Sequence, residues 1–162
     1  MKSRIKHTTH AAIIAAIYVV LTYVSSMLGL ASGAIQCRLS EALCVLPAFI
    51  PSAVPGLFIG CILSNVFTGC MAFDVVFGSI ATLLGAVGTY YLSKHAANRY
   101  TFPVPPILSN TLIVPFVIKY AYGSEGTIWY FFLTVGAGEV ISCGILGMIL
   151  YNYLNKKSKW LF

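Results

Sequence analysis

Gln36, Arg38, Ser40 and Glu41 crowd into one stretch, Gln36-Cys37-Arg38-Leu39-Ser40-Glu41-Ala42-Leu43, between two strongly apolar segments. Polar groups at or just inside a membrane surface are costly unless something satisfies them. The chemistry this cluster offers is recognition: a carboxylate that accepts, and an amide and a guanidinium that donate. The competing reading is a solvated loop between two helices, because Arg and Glu are tolerated at interfaces. Glu139 is the second chemical group of interest. Gly136, Glu139, Cys143 and Gly147 share one helical face, and faces rich in small residues are the packed ones. Glu139 is therefore expected to point into a bundle, where a carboxylate needs a cation, donors or a ligand. Arg38 is one partner open to Glu139, and it is equally open to Glu41 at one helical turn. Asp74 either caps a helix or joins the site. Asn65 and Asn110 either bridge helices or bind a solute. Trp129, with Tyr120 and Tyr122, fits an interfacial aromatic belt as well as a stacking platform.

Other chemistries find no support. There is no HxxxH or HExxH metal site, no phosphate-cradling Gly loop after a strand, and no nucleophile–base pair. His7, His10 and His95 fall away from the acidic residues. The five cysteines, Cys37, Cys44, Cys61, Cys70 and Cys143, form no CxxC and no Cys/His ligand spacing. They are read as small apolar packing residues, and a Cys37–Cys44 bridge is not expected from an odd cysteine count. The chain is thus expected to be no enzyme, with no cofactor and no metal. A solute-binding membrane protein fits better, and with no ATPase motif its energy must come from a partner or an ion gradient.

The elements that hold these residues are apolar helices. The 162 residues are 59% hydrophobic with ten basic and four acidic side chains, and the mean hydropathy is +0.87. That composition excludes an ordinary soluble domain and indicates one polytopic all-α membrane domain. The net charge of +6 does not suggest nucleic acid, because the basic residues sit at segment ends without interleaved aromatics. A signal peptide is not expected, since the apolar run from Ala11 is too long for an h-region and no polar domain follows it. We divide the chain into a cytoplasmic lead (1–10), a six-helix transmembrane domain (11–154) and a basic cytoplasmic tail (155–162).

The first span, 11–31, carries Ala11, Ala12, Ala15 and Ala16, two overlapping small-xxx-small pairs that allow another helix to approach closely, inside the bundle or from outside it. A second segment, 40–49, is too short to span comfortably and contains Pro47, so it is expected to be broken or tilted. Pro51 to Pro55 then turn the chain. The third span, 56–71, continues a ladder of small residues (Ser52, Gly56, Gly60, Ser64, Thr68) that reads as a packing seam. The remaining spans are 74–93, with Gly78, Ala81, Gly85 and Gly88 on one face, 107–122 and 127–154. With both termini in the cytoplasm, Lys2, Arg4, Lys6, Lys94, Arg99, Lys156, Lys157 and Lys159 lie inside, and only Arg38 and Lys119 outside. All four acidic residues, with Gln36, Asn65 and Trp129, then fall toward the outer half and imply an outward-facing polar pocket.

The run Ile35-Gln-Cys-Arg-Leu-Ser-Glu-Ala-Leu43, then Leu46-Pro47, Ala53-Val-Pro-Gly-Leu-Phe-Ile-Gly60, Asn65, the run Asp74-Val-Val-Phe-Gly-Ser-Ile-Ala-Thr-Leu-Leu84 and Asn110 resemble the QueT family. These are substrate-binding S-components of energy-coupling factor (ECF) transporters that take up queuosine precursors. Cys37 stands where an aromatic or aliphatic residue is expected, and the polar positions are untouched. The resemblance implies a six-helix S-component fold in a bacterial cell membrane, with the ligand near the outer surface under the first loop. It implies three partner subunits, a transmembrane coupling protein and two cytoplasmic ATPases, with Ala11/Ala15 and Ala12/Ala16 matching the AxxxA patches that contact the coupling protein. The ligand-binding candidates are Gln36, Arg38, Glu41, Asn65, Asp74, Asn110, Trp129 and Glu139. A 7-deazaguanine presents adjacent ring N–H and amine donors, which a carboxylate accepts in bidentate fashion. Its carbonyl wants a donor such as Gln36, Arg38 or an Asn amide, and an aminomethyl group would want a second carboxylate. The alternatives are an S-component for another vitamin, a cation-coupled carrier using Glu139, and a purely structural subunit. Ser32-Gly33 and the broken segment suggest that residues 32–40 act as a lid.

Overall fold

The computed structural model describes residues 2–30, 35–95 and 98–161. Among these residues every regular element is helical. Helix α1 is Lys2–Met27, followed by a 3-10 helix, Leu39–Ala48. Then come α2 (Ala53–Phe67), α3 (Ala72–His95), a 3-10 turn at Arg99–Thr101, and α4 (Val104–Phe116) with a π turn at Val117–Ala121. Helix α5 (Ile128–Glu139) passes through a π segment, Val140–Leu146, into α6 (Gly147–Leu161). Four stretches are long and apolar enough to cross a membrane, Arg4–Met27, Ala72–His95, Arg99–Ala121 and Ile128–Lys157. Their outward faces are lipid-like, with Ile13, Val20, Leu84, Leu112 and Leu133 exposed. The protein is a multi-pass membrane protein.

Two apolar helices are shorter. The Leu39–Ala48 segment has ten residues, about 20 Å at 3-10 rise, and α2 has fifteen, about 22 Å. The sequence suggests a broken or tilted helix at 40–49, and the segment is not broken but one continuous 3-10 helix enclosing Pro47. Runs of this length are uncommon outside functional or strained places. The turn expected over 51–55 ends early, because Pro55 lies in the first turn of α2, where its missing N–H costs nothing. The basic lead is not a separate segment, since α1 begins at Lys2 and the Thr8 and Thr9 hydroxyls donate to the Arg4 and Ile5 carbonyls within it.

Close helix contacts follow the small residues. A Cβ on Gly56 would lie 2.8 Å from the Ala11 carbonyl oxygen, and one on Gly60 would lie 2.8 Å from Tyr18 Cβ and 3.1 Å from Ala15 Cα. The seam on α2 therefore packs on α1. On α3, Gly85 and Gly88 receive Pro106 and Pro105 of α4 at 2.6 Å by the same measure. Between these pairs sits the core of Ile14, Tyr18, Leu43, Cys44, Leu57, Cys61, Ala86 and Cys143. The 3-10 helix runs through its middle and touches α1, α2, α3 and the last span.

This packing splits the alanine pairs. Ala15 is buried and Ala11 half-buried against α2, whereas Ala12 and Ala16 are exposed. Ala11 and Ala15 thus take the internal role, and only Ala12 and Ala16 present a small-residue face outward.

Candidate functional site

The start of the 3-10 helix is tied to α1 by polar contacts. Ser25 Oγ accepts from the Leu39 N–H at 2.9 Å, and Thr22 Oγ1 donates to Ser40 Oγ at 2.8 Å. These bonds hold the extended residues before it, 36–38, over the ends of α2, α3 and α4. Arg38 has φ −104° and ψ 116°, so its side chain leaves the helical register that would bring it one turn from Glu41. It reaches Asp74 instead, with Nη2 3.7 Å from Oδ2, and its Nη1 donates to Asn65 Oδ1 at 3.3 Å. The pairings of Arg38 with Glu41 or Glu139 left open by the sequence are replaced by this one. Asp74 does lie in the first turn of α3, but its carboxylate serves Arg38 and accepts from the Tyr122 hydroxyl at 3.2 Å. Burial, with Asp74 alongside, pushes the Tyr122 phenol up to about 12, so it remains a donor at neutral pH. Asn65 completes the knot by donating from Nδ2 to the Asp74 carbonyl at 3.3 Å.

Deeper in the bundle a second group gathers around Glu41. Its Oε1 accepts a short hydrogen bond from the Tyr18 hydroxyl. Its Oε2 accepts from the Cys44 thiol at 3.0 Å and from Asn110 Nδ2 at 3.5 Å. Glu139 arrives from α5, as the small-residue face suggested, and its Oε2 accepts from the Cys143 thiol at 3.2 Å. Glu41 and Asn110 are buried and Glu139 half-buried. Among the described residues Arg38–Asp74 is the one ion pair, so the two inner carboxylates are met by neutral donors.

The two groups border two chambers. The inner one, about 30 Å³, is lined by Gln36, Arg38, Glu41, Asp74, Asn110 and Glu139 among others. The outer one, about 320 Å³, is lined by Thr22, Gln36, Arg38, Thr68, Asp74 and Tyr122 among others. Gln36, Arg38 and Asp74 belong to both and form the wall between them. Of the eight candidates, six line the inner chamber and Asn65 braces its wall. Trp129 lines neither chamber: it is 71% exposed and lies against Phe132, the position of a belt residue. Ser32 and Gly33 lie outside the described residues.

Four contributions escaped the sequence reading. Tyr18 was legible in retrospect, because Ala11, Ala15, Tyr18, Thr22 and Ser25 follow alternating steps of four and three, one helix face turning from small to polar. Tyr122 carried no signal separating it from Tyr120. Cys44 and Cys143, far apart in sequence, meet only through the tertiary fold. Gly138 is the fourth: a Cβ there would lie 2.0 Å from the Gln36 carbonyl oxygen, so the segment bearing Gln36 rests directly on the α5 backbone.

A protein of Lactococcus lactis subsp. cremoris named "Queuosine precursor transporter QueT" is 35% identical to this chain over 83 residues, 51% of this chain and 48% of that protein. The match therefore spans about half the length of that relative. No solved structure matches the chain. A family model described as "QueT transporter" matches residues 8–156, nearly the whole chain, which therefore belongs to the QueT transporter family.

Proposed function

We propose that this protein is the substrate-binding S-component of an ECF-type importer in a bacterial cell membrane, and that its solute is a queuosine precursor: a 7-deazaguanine in nitrile or aminomethyl form, or queuine. The observation that carries this reading is the convergence of Glu41 and Glu139, from different elements, on one chamber that also holds the amides of Gln36 and Asn110. One carboxylate accepts the paired donors of the base, the amides serve its carbonyl, and the second carboxylate suits a cationic substituent. The name of the Lactococcus relative supports the solute class.

The wall between the chambers has to move for such a solute. About 30 Å³ is room for only a water or two, whereas small-molecule sites typically occupy about 300–1,000 Å³. Displacing Gln36 and Arg38 merges the inner chamber with the outer one, and residues 35–40 then act as the lid. Transport requires the coupling protein and two ATPases as partners, docking on the exposed Ala12/Ala16 face. The chain's own part is binding, with no cofactor.

The test is binding of three ligands, nitrile, aminomethyl and queuine forms, to the purified protein. At least one should bind with a deazapurine ultraviolet spectrum recoverable from the protein. If none binds, and the protein co-purifies with a different vitamin or with nothing, the solute assignment is wrong.

A further inference from the structure

Below the inner chamber, Cys44 of the 3-10 helix faces Cys143 of the π segment. Their sulfurs and a Glu41 carboxylate oxygen all lie within 4.8 Å of one another, and all three residues are buried. Cys44 Sγ is 3.0 Å from Glu41 Oε2, and Cys143 Sγ is 3.2 Å from Glu139 Oε2. We infer that Cys44, Cys143 and Glu41 form a binding site for a thiophilic divalent cation of the zinc class.

Geometry and donor chemistry carry the inference. Tetrahedral zinc holds sulfur at about 2.3 Å and carboxylate oxygen at about 2.0–2.2 Å, which separates neighbouring ligand atoms by roughly 3.5 Å. The 3.0 Å between Cys44 Sγ and Glu41 Oε2 and the 4.8 Å limit that holds all three ligand atoms bracket that value, so small side-chain shifts are enough. Two sulfurs with carboxylate oxygen favour zinc or cadmium over magnesium or calcium, which take oxygen alone. The ligands come from two rigid elements, and Cys143 lies where the last span widens to π geometry, a feature frequent at functional sites. Glu41 also lines the inner chamber, so the site lies directly against it. On binding, the two thiol protons leave to water. Two thiolates and one carboxylate then surround a doubly charged ion. Nothing here depends on which solute the chambers take.

The experiment titrates the purified, reduced full chain with cadmium ion alone and follows the thiolate-to-cadmium charge-transfer absorbance. The band should saturate at one cadmium per chain. It should be lost in Cys44→Ser and in Cys143→Ser, and weakened in Glu41→Gln. A variant with Cys37, Cys61 and Cys70 all replaced by Ser should keep it in full, and this variant decides the matter even if the single substitutions fold poorly. Absence of a band in the wild type, its persistence in Cys44→Ser or Cys143→Ser, or its loss in the triple variant would each overturn the site.

Discussion

The outer and inner chambers share a wall and differ in how their charges are met. Around the outer chamber, Asp74 has Arg38, Tyr122 and the support of Asn65, and the arrangement is complete in itself. Around the inner one, two carboxylates are met by a phenol, two thiols and an amide. The Arg38–Asp74 pair spans 3.7 Å with Asp74 buried and Arg38 partly open to solvent, so the arginine can swing out toward water. Buried carboxylates without a cation strongly favour any ligand that brings donors or positive charge. The outer group is thus suited to gating and the inner one to recognition, and substitutions in the two should separate those roles.

The largest loss should come from the inner pair. Glu41→Gln removes a carboxylate from a buried hydrogen-bonded contact and Glu139→Gln from a half-buried one, which costs about 2–5 kcal/mol, roughly 30-fold or more in affinity. Calorimetry with a deazaguanine measures it directly. Binding within twofold of wild type in both variants would remove the inner chamber from the recognition role.

Next comes Gly138→Ala. Its methyl group would meet the Gln36 carbonyl, and backbone cannot rotate away as a side chain can. Overpacking of this kind costs about 1–3 kcal/mol, expressed here as displacement of the wall and several-fold weaker binding. Gly136→Ala, two residues earlier, is the matched control. Its added carbon would lie 3.4 Å from Thr111 Cγ2, an ordinary contact, so stability and binding should stay within about 0.5 kcal/mol. Equal behaviour of the two variants would mean that residues 36–38 do not need this seat.

The outer group should yield smaller effects. The Asp74 and Arg38 side chains are 7% and 22% exposed, so Asp74→Asn should cost about 1.5–3 kcal/mol of stability with a smaller effect on ligand affinity, and Tyr122→Phe about 0.5–1.5 kcal/mol of stability. Hydrogen exchange at residues 35–40 should quicken in both, and ligand should slow it in the wild type. Exchange that ignores both the substitutions and the ligand would deny the wall any gating motion.

How far these assignments were legible in the sequence depends on what positioned each residue. Glu139 could be oriented because Gly136, Cys143 and Gly147 mark its face, and helix periodicity carries that information. The α2 seam was legible for the same reason. The partner of Arg38 was not, because residues 36–38 are extended and spacing along a helix says nothing there. Nor was the meeting of Cys44 with Cys143, which depends on threading the 3-10 helix through the bundle. The alanines show the limit within periodicity itself: Ala11/Ala15 and Ala12/Ala16 have identical spacing, and only the position of α2 tells them apart.

That difference supplies the smallest expected effect on binding, and it tests whether the chambers act independently of the outward face of α1. Ala16 lies near the middle of α1 and is exposed, whereas its neighbours Ala15 and Tyr18 are buried against α2 and Glu41. A Trp there meets lipid in the isolated protein, so Ala16→Trp should fold normally and bind a deazaguanine as the wild type does. If the coupling protein docks on this face, the same bulk blocks close helix approach, which depends on small residues. Uptake and co-purification with the coupling module should then be lost. Ala15→Trp is the contrast. Its side chain would enter the contact with Gly60, where the two backbones already approach closely, so it should unfold or misassemble the protein and lose binding with it. Uptake that survives Ala16→Trp with the partner still attached would place the docking face elsewhere. Loss of binding in Ala16→Trp would show instead that the inner chamber is sensitive to the outward face of α1, and the separation of recognition from coupling would fail.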